Sequence, residues 1–315
     1  MIDASVLVVG GGAIGGVTAA KLTGAVRRVV VLDADADHVA RLNEGLRLDV
    51  LGEERVVKVE ARTEIDEEFE FGLITLKAAH HDAVGALSGV ETFVSLGNGL
   101  VQDRLAELVG VDKLIAGIVE WGATNKGPGH LAQTTEGPFV IGPRDERTER
   151  LAEVLAPAGE VVISEDIRSV IWAKLLVNSV FSGLGAVAGE TYAEVVARPE
   201  GKRAALRMWR EGYEVGRAQG LQPGKVLGVE ASALAEGDEA ALATAMEGHG
   251  ATYASMLQDL ERGVPTEVDV IVGAVVDRGR EHDVPAPLHA RVAELIHAAE
   301  RGERTPSPDA LAELG

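Results

Sequence analysis

The chain has 315 residues, of which 46% are hydrophobic and 3% aromatic, and its formal charge is −20. This length accommodates two domains with aliphatic cores. The acidic balance argues against a nucleic-acid-binding protein, because no basic cluster is present to neutralise phosphates. The absence of cysteine excludes disulfides and thiolate chemistry. We recognise no signal peptide and no apolar run approaching about 20 residues, so we expect a cytoplasmic protein that does not cross a membrane.

The stretch VLVVGGGAIGG near the N-terminus predicts a dinucleotide-binding turn. An apolar run typical of a buried parallel strand precedes a G-x-G-x-x-G motif, and helical spacing follows it. The first glycine permits a tight turn, the second lets the backbone approach a pyrophosphate, and the third lets helix and strand pack closely. The helix N-terminus offers unpaired N–H groups to the phosphates. The predicted cofactor-binding residues are Gly10, Gly12, Ala13, Ile14 and Gly15. The alternative is a glycine-rich turn in an empty Rossmann-like domain.

An acidic residue ends the second predicted strand. Residues 29–32 are apolar, and Asp33 follows them about twenty residues after the glycine motif. A carboxylate there accepts hydrogen bonds from the adenosine ribose and repels a 2′-phosphate. Asp35 and Asp37 add negative charge, and Arg41 is the nearest downstream base. The sequence therefore favours NAD(H) over NADP(H), with helix capping as the alternative role for Asp33.

Strands and helices alternate through the first half of the chain. Strands are expected at residues 71–76, 92–96, 114–119 and 139–141, and helices at residues 38–43 and near 84–87 and 105–108. Residues 46–59 suggest short strands of a hairpin or an irregular insertion. Residues 124–137 are polar and glycine-rich. This order predicts a parallel, doubly wound sheet. Because ligands bind beyond the carboxyl ends of such strands, Asp33, Lys77 and Asn98 should face one crevice with the glycine motif.

The pattern changes after about Ser164. From residue 167 onward we find no strand signal, and helical segments follow one another between glycine and proline breaks. A short loop and a last helical turn are expected after Thr305. The predicted fold class is α/β, with a Rossmann dinucleotide-binding domain over residues 1–164 and an all-α substrate-binding and catalytic domain over residues 165–315.

Four polar residues in the second half are candidates for chemistry. Lys174 and Asn178 are four apart on one helical face that is otherwise apolar. The lysine either extends to solvent or is poised as a general acid. Ser255 and Glu267 flank a Gly-Val-Pro break, and their structural alternatives are a surface residue and a favourable charge at a helix N-terminus. The pair His80–His81 reads as loop or helix surface, and no metal site is expected.

Motifs through almost the whole chain resemble those of the ketopantoate reductases (2-dehydropantoate 2-reductases). In chain order they are VVGGGAIGG, TLKA (Thr75–Ala78), LGNG (Leu96–Gly99), WGATNKGPG (Trp121–Gly129), WAKLLVN (Trp172–Asn178) and SMLQDLERGVPTEVDVI (Ser255–Ile271). The resemblance implies a Rossmann domain followed by a helical domain, with the active site in the cleft between them. It also suggests a homodimer and a small 2-oxo acid substrate.

The family's residue roles carry over to matching positions. Lys174 matches the lysine that protonates the substrate carbonyl oxygen. Asn178, Ser255 and Glu267 match residues that hold the substrate, with Glu267 also near the lysine. Asn98 matches the asparagine close to nicotinamide and substrate, and Lys77 matches a cofactor-side lysine after the third main strand. The implied reaction is NAD(P)H-dependent reduction of a 2-oxo acid, most directly 2-dehydropantoate to pantoate in pantothenate biosynthesis.

The sequence also departs from the family pattern. The basic residue that binds a 2′-phosphate is replaced by the acidic run that begins at Asp33. Ser182 stands where a second asparagine is usual, and Trp121 stands where a histidine is common, so both changes could alter the pocket. The alternatives are an NAD-dependent D-2-hydroxy acid dehydrogenase of the same superfamily and a non-catalytic dinucleotide-sensing protein.

Overall fold

The computed structural model describes all residues from Met1 to Gly315. The chain divides into two compact units. The first unit contains residues 1–97 and 101–167, and the second contains residues 98–100 and 168–315. Three residues that lie within the first half of the chain, including Asn98, thus belong to the second unit.

Strands and helices alternate in the first unit, as the apolar runs predict. Its strands are β1 (Ile2–Val9), β2 (Val26–Leu32), β3 (Leu46–Val50), β4 (Glu53–Val57), β5 (Ala61–Arg62), β6 (Phe69–Ile74), β7 (Val90–Ser95), β8 (Leu114–Val119), β9 (Ala123–Gly127), β10 (His130–Gln133), β11 (Phe139–Gly142) and β12 (Val161–Ile163). Its α-helices are α1 (Ala13–Leu22), α2 (Ala36–Gly45), α3 (Gln102–Val109) and α4 (Glu146–Leu155). Segments of 3₁₀ helix lie at Ala78–Ala86, where an α-helix was expected, at Val111–Lys113 and at Ala156–Ala158.

The central sheet has eight strands in the order β12-β11-β8-β7-β6-β1-β2-β5. Neighbours pair in parallel, except that β11 runs antiparallel to β8. Val6, Leu7 and Val8 of β1 are fully buried, because helices cover both faces of a parallel sheet. Strand β1 lies between β2 and β6, where the order of the strands reverses direction. Ligands bind at such a switch point in doubly wound sheets.

A second sheet of the first unit has the order β4-β3-β10-β9. Strands β3 and β4 form the expected antiparallel hairpin. Strand β10 and all but the first residue of β9 lie in the polar stretch 124–137, where no strand was expected. Their polar composition hid them, because β9 is an edge strand with exposed residues and β10 has only four residues. The tight turn between them contains Pro128 and Gly129.

Helices form the second unit. They are α5 (Ile167–Val177), α6 (Gly183–Ala188), α7 (Tyr192–Ala197), α8 (Pro199–Ala218), α9 (Ala231–Glu236), α10 (Glu239–His249), α11 (Ser255–Arg262), α12 (Ala274–Glu281) and α13 (Pro287–Glu300), with a 3₁₀ segment at Pro308–Leu314. Turns of π-helix cover Asn178–Ser182 and Asp269–Gly273. The prediction that no strand follows residue 167 was wrong, because β13 (Lys225–Val226) and β14 (Val229–Glu230) pair as a short antiparallel hairpin.

The first π turn joins α5 and α6 into one helix, Ile167–Ala188. This helix has 22 residues and a mean hydropathy of 1.6, so its length and composition would suffice to cross a membrane. The expectation that no segment approaches such a span was therefore wrong. The most apolar 18 residues of this helix are 78% buried within the protein. This burial explains the apolar composition, since a helix that is buried on all sides is apolar all round.

Candidate functional site

The glycine motif forms a tight turn between β1 and α1. Gly10 has φ +102°, a conformation that favours glycine. A Cβ on Gly15 would collide with the carbonyl oxygen of Gly10 and with Thr75 Oγ1, so helix and strand approach as closely as the motif predicts. A Cβ on Gly12 would meet no atom within 4 Å. The turn therefore leaves open space in front of the α1 N-terminus, where Gly12 is the N-cap and provides no side chain.

Two side chains hold the middle residue of this turn. Asp33 Oδ2 accepts a hydrogen bond from the Gly11 N–H at 2.7 Å. His38 Nε2 lies 2.7 Å from the Gly11 carbonyl oxygen. The other oxygen of Asp33 accepts from the Asp35 N–H at 2.9 Å. The helix-capping role that was the alternative for Asp33 belongs instead to Asp35, whose side chain accepts from the His38 N–H.

A cavity of about 300 Å³ lies beside the turn. The residues that line it are Gly12, Asp33, Asp35, His38, Asn125, Gly127 and Pro128. Two of these residues are acidic, and none is lysine or arginine. Arg41, the nearest downstream base, forms an exposed ion pair with Glu44 at 2.9 Å. The cavity therefore offers acceptors for hydroxyl groups and no cation for a 2′-phosphate.

His38, Asn125 and the Gly127–Pro128 turn line the cavity and were not predicted from the sequence. His38 was read only as the start of a helix, and the strand that places Asn125 was not predicted. The sequence did contain a signal for this turn, because the Gly-Pro-Gly run that ends WGATNKGPG is typical of a tight turn. Thr75 was also missed, and its hydroxyl lies 2.8 Å from the Gly10 carbonyl oxygen.

Lys77 follows β6 and caps the 3₁₀ segment that begins at Ala78. Its side chain is half-buried. Within the same segment His81 is only 2% exposed, and its Nε2 lies 3.2 Å from the Leu76 carbonyl oxygen. The prediction of a surface histidine pair was therefore wrong for His81 and correct for His80, which is exposed. Burial lowers the pKa of His81, because desolvation disfavours the imidazolium.

The second unit holds the remaining candidate residues. Lys174 lies in α5 and Asn178 begins the π turn one helical turn later, and both are half-buried. Ser255 is the exposed first residue of α11. Glu267 is half-buried and directly precedes the helical segment that contains the second π turn, where the macrodipole favours an acid.

A buried polar network lies next to Asn178. His289, which is fully buried, places its Nε2 3.3 Å from Ser179 Oγ. Its Nδ1 lies 3.0 Å from Glu211 Oε2, and that carboxylate also accepts from the N–H groups of Leu288 and His289. The network therefore ties the first π turn to the start of α13. Sequence reasoning missed it because the three side chains come from distant parts of the chain.

Asn98 belongs to a segment that docks on the second π turn. The Leu100 N–H donates to the Val270 carbonyl oxygen at 2.8 Å. Gly99 has φ +82°, and a Cβ there would lie 2.6 Å from the same oxygen. Glycine is thus required at this position both by the backbone conformation and by the close approach. The contact fixes the half-buried Asn98 within the second unit.

Two of the three departures from the family pattern, Trp121 and Ser182, are buried in cores. Trp121 is 4% exposed and packs edge-on against Phe139, with ring centroids 5.7 Å apart. Ser182 is 1% exposed, and its Oγ lies 3.3 Å from the Tyr192 hydroxyl. Each side chain is therefore part of the packing of its own unit. No group of three or more histidine, aspartate or glutamate side chains is arranged to hold a metal ion.

The doubly wound sheet, the glycine turn and the acid after β2 define a Rossmann-type dinucleotide-binding protein with a helical second unit. Residues 6–146 match the family described as Ketopantoate reductase PanE/ApbA, and residues 166–300 match its C-terminal part. The chain belongs to the ketopantoate reductase family, as the sequence motifs predict.

Relatives and solved structures agree with this assignment. The chain is 32% identical to the 2-dehydropantoate 2-reductase of Mesorhizobium japonicum, covering 94% of this chain and 98% of that protein. It is 28% identical to the enzyme of the same name from Halobacterium salinarum, covering 94% and 99%. The crystal structure of a PanE/ApbA family ketopantoate reductase from Ralstonia eutropha matches with a TM-score of 0.83 at 26% identity, covering 95% and 99%. D-mandelate dehydrogenase with NADH shares the fold, with a TM-score of 0.83 at 22% identity over 96% of this chain and 99% of that one.

Proposed function

We propose that this protein is an NAD(P)-dependent oxidoreductase that reduces 2-dehydropantoate to pantoate, a step of pantothenate biosynthesis. The observation that carries the proposal is the family match over both units, with a 2-dehydropantoate 2-reductase 32% identical across 94% of the chain. The residues with family roles in substrate binding and catalysis are present in the sequence. Their retention argues against a protein that kept the fold only to sense dinucleotides.

The glycine turn fits a nicotinamide dinucleotide. Gly12 leaves open space before the first N–H groups of α1, which suit a pyrophosphate. Asp33 lines the adjacent cavity and offers carboxylate lone pairs to ribose hydroxyls. Gly10, Ala13, Ile14 and Gly15 shape the turn, and Lys77 follows the neighbouring strand β6. When bound, the reduced dinucleotide supplies a hydride.

The protein's own residues then handle charge and proton. Reduction of the carbonyl carbon places negative charge on its oxygen. Lys174 stabilises that charge and gives the oxygen its proton, which completes the hydroxyl group. Asn98, Asn178 and Ser255 orient the 2-oxo acid by hydrogen bonds. Glu267 assists in holding the substrate and sets the electrostatic environment of the lysine.

We further propose that NADH is preferred over NADPH. Asp33 and Asp35 both line the cavity, and a 2′-phosphate there would meet their negative charge with no lysine or arginine among the lining residues. Arg41 is engaged with Glu44. NADP(H) is the alternative that the family resemblance keeps open, and the relative affinity for the two dinucleotides decides between them.

Location and assembly complete the proposal. We place the protein in the cytoplasm, with no nucleic-acid partner, and we propose a homodimer. A ketopantoate reductase from Staphylococcus aureus of the same fold is described as dimeric. Light scattering of the purified protein tests the assembly, and a monomer at micromolar concentration would overturn it.

The central experiment offers a panel of 2-oxo acids with NADH and with NADPH and follows nicotinamide absorbance. We expect 2-dehydropantoate with NADH to give the highest kcat/KM. Faster reduction of an aryl or straight-chain 2-oxo acid would instead indicate a D-2-hydroxy acid dehydrogenase. Dinucleotide binding with no turnover of any acid would favour the sensing protein.

A further inference from the structure

His38 contacts two backbone segments that line the candidate dinucleotide cavity. It lies in α2 and is 5% exposed. Its Nε2 is 2.7 Å from the Gly11 carbonyl oxygen, and its Nδ1 accepts a hydrogen bond from the Gly129 N–H at 3.2 Å. Since the Gly129 N–H can only donate, Nδ1 carries no proton and Nε2 is the donor to Gly11. The ring is therefore a neutral bridge between these two contacts.

This bridge complements the contact made by Asp33. The Gly11 N–H donates to Asp33, and the Gly11 carbonyl accepts from His38, so side chains hold both polar groups of this residue. The ring also fills the space beside Gly11, where a Cβ would lie 3.2 Å from two ring atoms. The position of the glycine turn thus depends on two residues of the β2–α2 region.

The other end of the bridge is the turn between β9 and β10. Asn125 Oδ1 accepts from the Gly127 N–H at 2.9 Å, and the Gly129 carbonyl accepts from the Arg47 N–H at 2.9 Å. These bonds shape the turn and attach it to its own sheet. The bond from the Gly129 N–H to His38 attaches it to the glycine motif. Asn125, Gly127 and Pro128 line the same cavity as Asp33 and Asp35.

We propose that His38 is a positioning residue for the dinucleotide. By joining Gly11 to Gly129 it sets the separation between the glycine turn and the β9–β10 turn, and so the width of the cavity that receives the adenosine ribose. It makes this contribution through backbone groups and needs no contact with the ligand itself. The inference rests on the proposed use of a nicotinamide dinucleotide, and it concerns affinity for that dinucleotide rather than the chemical step.

Three substitutions separate the two contacts. His38→Gln keeps an N–H donor at the Nε2 position, His38→Asn keeps a carbonyl acceptor at the Nδ1 position, and His38→Leu removes both. We expect His38→Leu to raise the NADH Kd, measured by nicotinamide fluorescence without substrate, about tenfold, since two buried partners lose their bond. His38→Gln and His38→Asn should each raise it by a smaller factor, about threefold, because each keeps one end of the bridge and loses the other.

Further measurements distinguish positioning from general stability. We expect the NADH KM to rise in step with Kd, while kcat at saturating NADH changes by less than about twofold. A raised KM with an unchanged kcat means that the variant binds the dinucleotide more weakly and catalyses the chemical step as before. Hydrogen exchange at the Gly129 amide should accelerate in His38→Leu and His38→Gln and less in His38→Asn. His282→Leu, the same change at an exposed position of the second unit, is the control and should alter none of these values.

The outcomes against the proposal are equally specific. An NADH Kd for His38→Leu within twofold of the parent overturns it. Equal losses in all three variants, in proportion to their loss of thermal stability, would assign His38 a structural role only. If the parent binds neither NADH nor NADPH, the proposal fails together with dinucleotide use. If the parent binds NADH and reduces no 2-oxo acid, only the proposed function fails, and the Kd series still tests His38.

Discussion

Each unit contains a buried histidine beside its candidate residues, and the two make different kinds of contact. His38 of the first unit bonds to backbone groups, the Gly11 carbonyl and the Gly129 N–H. His289 of the second unit bonds to side chains, Glu211 and Ser179. The candidate site of the first unit is thus formed largely by backbone groups, whereas the candidate residues of the second unit are side chains from several segments. Loss of one side chain should therefore remove chemistry in the second unit and adjust affinity in the first.

The largest expected effect is at Lys174. Lys174→Ala should lower kcat by about 10²–10⁴, the usual range for a positioned proton donor, while NADH affinity and fold are retained because the glycine turn and Asp33 lie in the other unit. The measurement is steady-state reduction of 2-dehydropantoate across pH. Lys202→Ala, which removes an exposed lysine paired with Glu239, is the matched control. A kcat within about threefold of the parent would show that Lys174 is not the proton donor.

Gly99→Ala should have the next largest effect. The added Cβ would meet the Val270 carbonyl oxygen at 2.6 Å in a backbone conformation unfavourable to alanine, so the segment that carries Asn98 must move. A displacement of about 1 Å at a reacting centre lowers kcat/KM by about 10²-fold. Gly110 has a similar φ of +94°, but a Cβ there would meet no atom within 4 Å. Gly110→Ala therefore measures the effect of backbone strain without a clash like that at Val270. Equal losses in both variants would argue against the docking role of Gly99.

Asp33→Asn should change cofactor preference by a smaller factor. The amide oxygen can still accept from the Gly11 N–H, so the turn is retained while the negative charge is lost. We expect the ratio of NADPH Kd to NADH Kd to fall about tenfold. NADH loses a charge-assisted hydrogen bond from its ribose, and NADPH no longer meets a negative charge near its 2′-phosphate. Adding Asp35→Arg should lower the ratio further. Tighter binding of NADPH than NADH by the parent would contradict the premise and implicate Arg41.

The smallest effect concerns the pH dependence of stability. Burial lowers the pKa of His81, so the unfolded chain binds its proton more tightly than the folded chain. Stability should therefore rise as pH increases toward the ordinary histidine value of 6.5, and the contribution should be constant above it. His81→Gln retains a donor for the Leu76 carbonyl but does not titrate. The unfolding temperature of His81→Gln, measured from about pH 5 to about pH 7.5 to bracket the histidine pKa, should depend less steeply on pH than that of the parent.

Sequence patterns predicted the first strand and the glycine turn of the first unit well. The run from Val6 to Val9 and the glycine spacing act through local backbone geometry, so one short stretch contains the information. Asp33 was found by its fixed distance from the glycine motif. The polar strand β9 escaped prediction because an exposed edge strand has little alternation to detect. His38 was missed for another reason, since its partners Gly11 and Gly129 come from distant segments and no spacing rule connects them.

The roles of the candidate residues in the second unit were harder to predict from their spacing. Lys174 and Asn178 share a helical face, but an apolar face with one lysine fits a solvent-extended side chain equally well. Resemblance to the family, rather than periodicity, gave these residues their proposed roles. The buried network of His289 and the docking of Leu100 on Val270 are long-range contacts, and only the folded chain displays them.

The placement of residues 98–100 in the second unit has a consequence for protein engineering. A fragment that begins after Ile167 would lack the segment whose Leu100 N–H bonds to Val270, and a fragment that ends there would carry that segment without its partner. The units therefore cannot be separated by a single cut of the chain. A chimaera that exchanges residues 1–167 with a relative would also exchange Asn98 and Gly99, so a swap intended to change cofactor use would also replace a segment of the second unit.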